Sequence, residues 1–488
     1  MKRRGTSGER ASLPSIPSHW RWVPLAEVAE VRLGKMLSRK AFDAELVQLP
    51  YLRNQNVQWL SVDLDDLKTM GFRKSELERY RVLPGDLLVC EGGEPGRAAV
   101  YKGGVKDLMY QKALHRIRPR DGAASAAFLQ YFFARHAHGS AVLPRRSETT
   151  IKHLPLEKIK RVPVSLPPIE EQHGIVNRIE ELFSDLDAGV AALERAKANL
   201  ARYRAAVLKA AVEGRLTEQW RREHPDVEPA SELLKRILAK RRRQWEEEQL
   251  AKYAANGKRP SKGWRGSYRE PAAPDPSGLH GLPRSWVWTT IDALGDVVSG
   301  VTKGQRPKSK DNRVEVPYLR VANVQSGLLD LTVVKRILAS ASEIERYRLR
   351  AGDVLFTEGG DRDKLGRGWV WNGEIDTCIH QNHIFRLRLF SEECVPELIS
   401  VHGNMFGRRW FQTAGRQTVN LASINQRILR NFPVPLAPRS EQVVMRERIQ
   451  EVTSGANYLD RQLDRSRMAA SRLRRSVLSY AFAGTLVT

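Results

Sequence analysis

The sequence predicts a mixed α/β (α+β) protein built from two similar modules, each followed by a long helix. The helices are expected to pair as an antiparallel coiled coil between pseudo-two-fold-related modules. Three observations carry this reading. Seven of the nine residues of Pro50–Gln58 (PYLRNQNVQ) recur in order at Pro317–Gln325 (PYLRVANVQ), half a chain away. Two stretches near the ends of the resulting halves place apolar residues at heptad spacing. At 488 residues and 41% hydrophobic content, the chain is too long for one ordinary domain and apolar enough for real cores.

The repeat extends well beyond that phrase. IPSHWRWVPL (Ile16–Leu25) answers LPRSWVWTTI (Leu282–Ile291), with Trp20/Trp286 and Trp22/Trp288 in register. ERYRVLPGDLLVCEGG (Glu78–Gly93) answers ERYRLRAGDVLFTEGG (Glu345–Gly360), and YQKALHRIRP (Tyr110–Pro119) answers HQNHIFRLRL (His380–Leu389). VPVSLPPIEEQ (Val162–Gln172) answers FPVPLAPRSEQ (Phe432–Gln442), and AAVEGRLT (Ala210–Thr217) answers YAFAGTLVT (Tyr480–Thr488). Two copies are too few for a solenoid; this is a tandem duplication. The first part of each copy alternates short apolar runs with Gly, Pro and Asp, the texture of strands and turns, with helices such as AAFLQYFFARH among them. After LPP or LAP each copy turns helical, and acids follow where the helix dipole favours them.

In the first long helix Ile179, Leu186, Leu193, Leu200 and Val207 fall seven apart, with Leu182, Gly189, Ala196, Tyr203 and Ala210 three residues after each. The second gives Ile449, Ala456, Leu463, Ala470 and Val477, accompanied by Val452, Leu459, Ser466, Leu473 and Tyr480. The predicted seam therefore includes Leu459 and Leu473. Between the copies, Lys235–Arg265 carries eleven basic residues and three acids; its first part is predicted helical and the rest an extended linker. The resulting division is a disordered tail over 1–15, a first module over 16–165 and helical spacer over 166–255. A linker over 256–281, a second module over 282–435 and helical spacer over 436–488 complete it.

If the helices pair with one module at each end, the second must run back towards the first module. A helix of about 40 residues spans roughly 60 Å, and successive turns of one DNA groove lie about 34 Å apart. Such a molecule is a caliper holding two readers on one duplex. The net charge of +25 and a pI near 10.1 fit that partner, because each phosphate neutralised releases counterions. Cys90, Cys378 and Cys394 are scattered and suggest neither a disulfide framework nor a zinc site. No secretory signal and no run long enough for a membrane span is readable, so a cytoplasmic protein is expected.

No GxxxxGK[ST] loop, [DN]PP[YF] motif or strand-borne GxGxxG is present. NFPV (Asn431–Val434) lacks the Pro-Pro turn and matches RVPV in the first copy, so it reads as a repeat boundary. EGGDRDKLG (Glu358–Gly366) keeps its glycines but not its Asp-Lys pair in the other copy, which favours a turn with a variable tip. His115, His380 and His383 lack ligand spacing and read as packing or surface residues.

Order of parts, W-x-W openings, PYLR…NVQ, GD-[LV]-L, EGG and the P-[LV]-P…EQ helix starts together resemble the specificity (S) subunit of type I restriction–modification enzymes. The resemblance spans nearly the whole chain outside the tail and linker. It implies two target-recognition domains reading the halves of a bipartite duplex DNA site, helices that set the gap, and no catalytic centre. It further implies two methyltransferase (M) subunits performing adenine-N6 methylation, and restriction (R) subunits. S-adenosylmethionine, ATP and Mg²⁺ are expected on those partners and no cofactor or metal in this chain. A stand-alone nuclease or methyltransferase, or a basic nucleic-acid-binding scaffold, remains the alternative.

Residues shared by both copies should be scaffold, and those differing in matched loops should discriminate bases. In the first loop pair the candidates are Lys35, Arg39 and Lys40 against Lys303, Arg306, Lys308 and Lys310. The second gives Arg97 against Arg362, Lys364 and Arg367. The third gives Arg145, Arg146 and Lys152 against Arg416, Gln417 and Asn420. Arg53, Asn54 and Arg320 of the repeated phrase are candidates for DNA contact as well, Arg53 and Arg320 equally for bracing. Arg and Lys can fork onto guanine, and Gln and Asn onto adenine, each worth roughly 1–3 kcal/mol of discrimination.

Overall fold

The computed structural model describes residues 13–37, 46–136, 142, 153–302, 312–360, 365–407, 409–411, 416–417 and 422–486. The chain divides into two compact units, Met1–Ala196 with Gln462–Thr488, and Lys197–Arg461. Each unit therefore combines one α/β module with a piece of each long helix, a division that a linear reading of domains does not give.

In the first unit the strands are β1 (Arg21–Pro24), β2 (Ala29–Leu33), β3 (Val47–Leu52), β4 (Lys68–Phe72), β5 (Leu87–Cys90), β6 (Ala98–Val100), β7 (Met109–Tyr110), β8 (Leu114–Pro119) and β9 (Pro163–Leu166). They form a four-stranded sheet ordered β2-β8-β5-β6, a three-stranded sheet β4-β3-β7 and a ribbon β1-β9. Helix α1 (Ala126–His136) packs its Phe128, Leu129, Phe132 and Phe133 on the inner face of the larger sheet, beside Leu87, Val89 and Ile117. The long helix α2 (Ile169–Val212) adds Ile175, Ile179 and Phe183 to this core.

In the second unit helix α3 (Ala230–Ala255) precedes β10 (Val287–Thr290), β11 (Gly295–Ser299), β12 (Arg313–Leu319), β13 (Lys335–Ser340), β14 (Asp353–Thr357), β15 (Gly368–Trp371), β16 (Ile379–His380), β17 (Ile384–Leu389) and β18 (Pro433–Leu436). Their orders repeat the first set: β11-β17-β14-β15, β13-β12-β16 and β10-β18. Even the two parallel pairings, β3 with β7 and β12 with β16, correspond. Helix α4 (Pro396–His402) takes the place of α1, and α5 (Arg439–Phe482) is the second long helix.

The repeated motifs are pins of this scaffold. Trp20 and Trp286 donate their indole N–H to Glu171 (3.0 Å) and Glu441 (2.8 Å), the acids that open α2 and α5. The neighbouring Gln172 and Gln442, both buried, accept from Ser125 N and Val395 N and donate to the Pro167 and Ala437 carbonyls. W-x-W and EQ are thus two halves of one joint between module and helix. The aspartate of GD-[LV]-L is buried in both units, where Arg118 forks onto Asp86 and Arg388 onto Asp353. A buried carboxylate needs that bidentate partner.

The helices pair antiparallel within each unit, but the seam differs from the expected one. In the first unit Arg474 pairs with Asp187, and Arg467 with Glu194 at 3.1 Å. In the second Lys197 meets Asp460 at 3.5 Å, and Arg204 donates to Asn457 at 3.2 Å. The row Ile179, Leu186, Leu193, Leu200, Val207 and its partner Ile449, Ala456, Leu463, Ala470, Val477 is buried or half-buried throughout. Its companion row lies four residues later, not three: Phe183, Val190, Lys197, Arg204 and Ala211 are covered, while Leu459 (51% exposed), Leu473 (54%), Tyr203 and Tyr480 face outward. The error has a physical cause. Rows three and four residues away flank the same stripe, and the outward row is the more apolar because the inward one is filled by paired Lys, Arg and Asp.

The inter-copy stretch also differs from an open tether. α3 is anchored by Ala230, Leu233 and Ile237 in the second core, and the segment after it folds back so that Trp264 stacks on Trp245 with ring centres 5.7 Å apart.

Histidines 380 and 402 are packing residues of the second unit. His402 donates from Nε2 to the Pro433 carbonyl (2.9 Å) and stacks on Phe406, and burial pushes both imidazoles down to about 3. The unfolded chain takes up those protons near pH 6.5. Stability is therefore whole above pH 6.5 and lost as pH falls towards about 3, by about 1.4 kcal/mol per pH unit per histidine. His402→Phe installs the residue found at the matching Phe132, and urea titrations from pH 4 to 7 should show the acid slope reduced by one proton. An unchanged slope would mean that His402 already carries its proton in the folded state.

Candidate nucleic-acid interface

The described roots of the loops that differ between the copies come together in each unit, and what joins them is the EGG turn. In the first unit Glu91 N donates to the Ala113 carbonyl (2.9 Å), and the Glu91 carbonyl accepts from Leu154 N (2.6 Å). A bridge between Gly92 and His153 continues that contact, so the end of the third loop is sewn to the turn from which the second loop departs. The first loop joins through the Gln111–Ala113 corner: Lys35 N donates to the Tyr110 carbonyl (3.1 Å) and Lys112 N to the Lys35 carbonyl (2.7 Å).

The second unit repeats the arrangement. Glu358 N donates to the His383 carbonyl and its carbonyl accepts from Ile424 N, both at 2.9 Å. Gly359 and Gly360 pair with Ser423 and Ala422, which in turn pair with Arg416 and Gln417. Val301 N donates to the His380 carbonyl (2.9 Å), and Asn382 N to the Val301 carbonyl (2.9 Å). The anchors are backbone groups, so they fix where each loop leaves without constraining its side chains.

A close approach sets the root of the first loop. Gly34 and Gly300 begin matched loops, and a Cβ on either would overlap the carbonyl oxygen of Gln111 or His380. Only a glycine lets the two backbones meet there.

The repeated phrase is the second support. Asn56 and Asn323 are buried; each amide accepts from the N–H three residues before it and donates to two carbonyls of the following turn. Arg53 forks onto the Asp66 carbonyl and carboxylate, holding that carboxyl below the usual range through the hydrogen bond, and Arg320 donates to the Val333 carbonyl. Asn54 donates to the Gly92 carbonyl at 2.9 Å. Arg97 and Arg367 occupy matching positions: their guanidinium groups donate to the Asn54 carbonyl (2.9 Å) and the Val321 carbonyl (3.4 Å). They tie the second loop to the phrase, a bracing role that the shared Gly-Arg at Gly96–Arg97 and Gly366–Arg367 signals. Lys35 turns inward to Glu76 (2.6 Å) and the Gly71 carbonyl.

Arg39, Lys40, Arg145, Arg146, Lys152, Lys303, Arg306, Lys308, Lys310, Arg362, Lys364 and Asn420 lie outside the described residues. Arg416 and Gln417 are placed by their backbone, on the strand joined to Ser423 and Ala422. The corner sits within a shared phrase, which masks it in the sequence as scaffold. Its exposed Lys112 and His383 stand beside the EGG turn, and their mismatch with Asn382 and Ala113 is the signal that marks them.

The family description "Type I restriction modification DNA specificity domain" matches residues 17–195. The specificity subunit of the type I restriction enzyme EcoKI from Escherichia coli K12 is 20% identical over 484 residues, covering 97% of this chain and 91% of that protein. That of StySPI from Salmonella potsdam is 21% identical over 482 residues, covering 96% and 90%. Among solved structures, the HsdS subunit from Thermoanaerobacter tengcongensis aligns with a TM-score of 0.54 at 16% identity, covering 97% of this chain and 98% of that one. A chain from a structure of type I restriction–modification complex assembly aligns with a TM-score of 0.64 at 14% identity, covering 97% and 100%. The doubled scaffold and the paired helices thus sit in a chain that matches the type I restriction–modification DNA specificity domain over residues 17–195 and is similar along nearly its whole length to specificity subunits of type I restriction enzymes.

Proposed function

We propose that each unit reads one half of an asymmetric bipartite duplex DNA site, and that the chain directs adenine-N6 methylation and restriction carried out by partner subunits. The observation that carries this reading is the convergence of three dissimilar loops on one identical turn in each unit. A common scaffold with variable, basic loops is what two different short sequences require. In the first unit base reading is assigned to Arg145, Arg146 and Lys152, and further DNA contact to Arg39, Lys40 and Lys112. In the second unit base reading is assigned to Arg416, Gln417 and Asn420, and further DNA contact to Lys303, Arg306, Lys308, Lys310, Arg362 and Lys364. Arg53, Arg320, Arg97 and Arg367 brace these loops. Two methyltransferase subunits binding S-adenosylmethionine, and restriction subunits binding ATP and Mg²⁺, supply the chemistry. The outward-facing apolar residues of the long helices support such partners: exposed Met468, Leu473 and Tyr480 in the first unit, and Tyr203, Tyr458 and Leu459 in the second, await a cover. No helix among the described residues is long and apolar enough to cross a membrane.

The helices set the gap on this reading. Inserting four residues after Ala196 and four after Arg461 adds about one turn, roughly 6 Å. Mapping methylated adenines in cells carrying the complex should give a gap longer by one or two base pairs with both half-sequences unchanged. Altered half-sequences around a constant gap would refute the ruler.

A further inference from the structure

We infer that the arm formed by α3 and its returning segment is a third DNA contact, which grips duplex phosphates without reading bases; this rests on the DNA-specificity reading above. The arm is built, not loose. Its root is held by Ala230, Leu233 and Ile237 in the core, by Arg236 on Glu228 (2.7 Å) and Glu393 (2.7 Å), and by Arg241 on Asp292 (3.1 Å). Beyond the root, Trp245 lies between Trp264 and Tyr268, whose ring centres are 5.7 and 5.3 Å away. Glu246 receives both Arg242 (3.4 Å) and Arg265 (3.2 Å).

Once these pairs are formed, exposed Arg243, Lys252, Lys258, Arg259, Lys262 and Arg269 have no ion-pair partner among the described residues. Three of them crowd into the five-residue turn KRPSK (Lys258–Lys262). The chemistry of the arm selects its partner. A protein surface needs an apolar or aromatic centre to the contact, and Trp245, Trp264 and Tyr268 are already packed on one another, which leaves the single exposed Leu250 and half-buried Tyr253 as a small apolar remainder. The same stacking denies those three rings to unstacked bases, which argues against single strands. What remains, against exposed Glu247, Glu248 and Glu270, is an excess of cations on a fixed support, suited to the charges of a duplex backbone.

The test is the salt dependence of binding by the full chain. Two labelled duplexes are used, one carrying the methylated motif of the host genome and one with it scrambled. Lys258→Gln/Arg259→Gln/Lys262→Gln should lower the slope of log K against log salt by about 2–3. Affinity for both duplexes should fall by the same factor, at least about tenfold at 100 mM salt, leaving their ratio unchanged. Lys258→Arg/Lys262→Arg should keep the original slope. An unchanged slope in the glutamine variant, with the preference for the motif intact, overturns the arm and leaves the specificity reading standing. A loss confined to the motif duplex overturns it too, since the arm would then read bases. Lost capture of partner subunits at constant slope would assign it to an acidic protein surface instead. Failure of the unaltered chain to prefer its motif would refute the specificity reading itself.

Discussion

Glu441→Ala should destabilise the second unit by about 3–5 kcal/mol, the cost of stranding a buried charge by removing its partner. Glu441 is fully buried and accepts from Trp286 Nε1 (2.8 Å), Thr217 Oγ1 (2.6 Å) and the Arg221 guanidinium. The substitution leaves three donors facing a cavity, one of them a cation that is only 17% exposed. Its counterpart Glu171 is 23% exposed and, among the described residues, accepts from Trp20 and His19, so Glu171→Ala should cost only about 1–2 kcal/mol. Differential scanning calorimetry should place the transition of the Glu441 variant lower by roughly 6–20 °C. Equal, small shifts in both variants would mean that the Trp–Glu joint contributes little in either unit.

Gly300→Ala should separate folding of the module from presentation of its loop. The added Cβ overlaps the His380 carbonyl oxygen, and neither backbone can yield without breaking the Val301–His380 and Asn382–Val301 bonds. Overpacking against side chains costs about 1–3 kcal/mol, and against backbone the upper end is the floor. The larger consequence is local. The bonds lost hold the root of the first loop against the His383 corner and hence against the Glu358 turn. Methylation mapping should therefore find the half-site of the second unit relaxed and that of the first unit intact; Gly34→Ala should do the converse. A variant that unfolds at Gly300 without altering either half-site when cooled would remove the loop root from recognition.

Much of this was legible in the sequence because duplication supplies an internal control. Asn56/Asn323 and Asp86/Asp353, retained in both copies, are buried, and the retained Glu171 and Glu441 accept from the equally retained Trp20 and Trp286. The misread seam shows the limit of that control. Apolarity chose Leu459 and Leu473, whereas the partner helix meets Lys197, Arg204, Asp460 and Arg474, charges that reveal themselves only through a mate on another helix. Arg97 and Arg367 sit among residues that differ between the copies, which hides in the sequence that they brace the phrase. The folded arm escaped notice because the stacking of Trp245 on Trp264 depends on a reversal of the chain that no periodicity encodes.

The EGG turn has a consequence for how new specificities can arise. Apart from the Glu358 carboxylate on the His383 imidazole, the bonds described from this turn to the loop roots join peptide groups, and peptide groups are the same in any sequence. A loop can therefore be rewritten by mutation or exchanged by recombination while its moorings persist. Inheritance of the frame is uncoupled from inheritance of the text it presents.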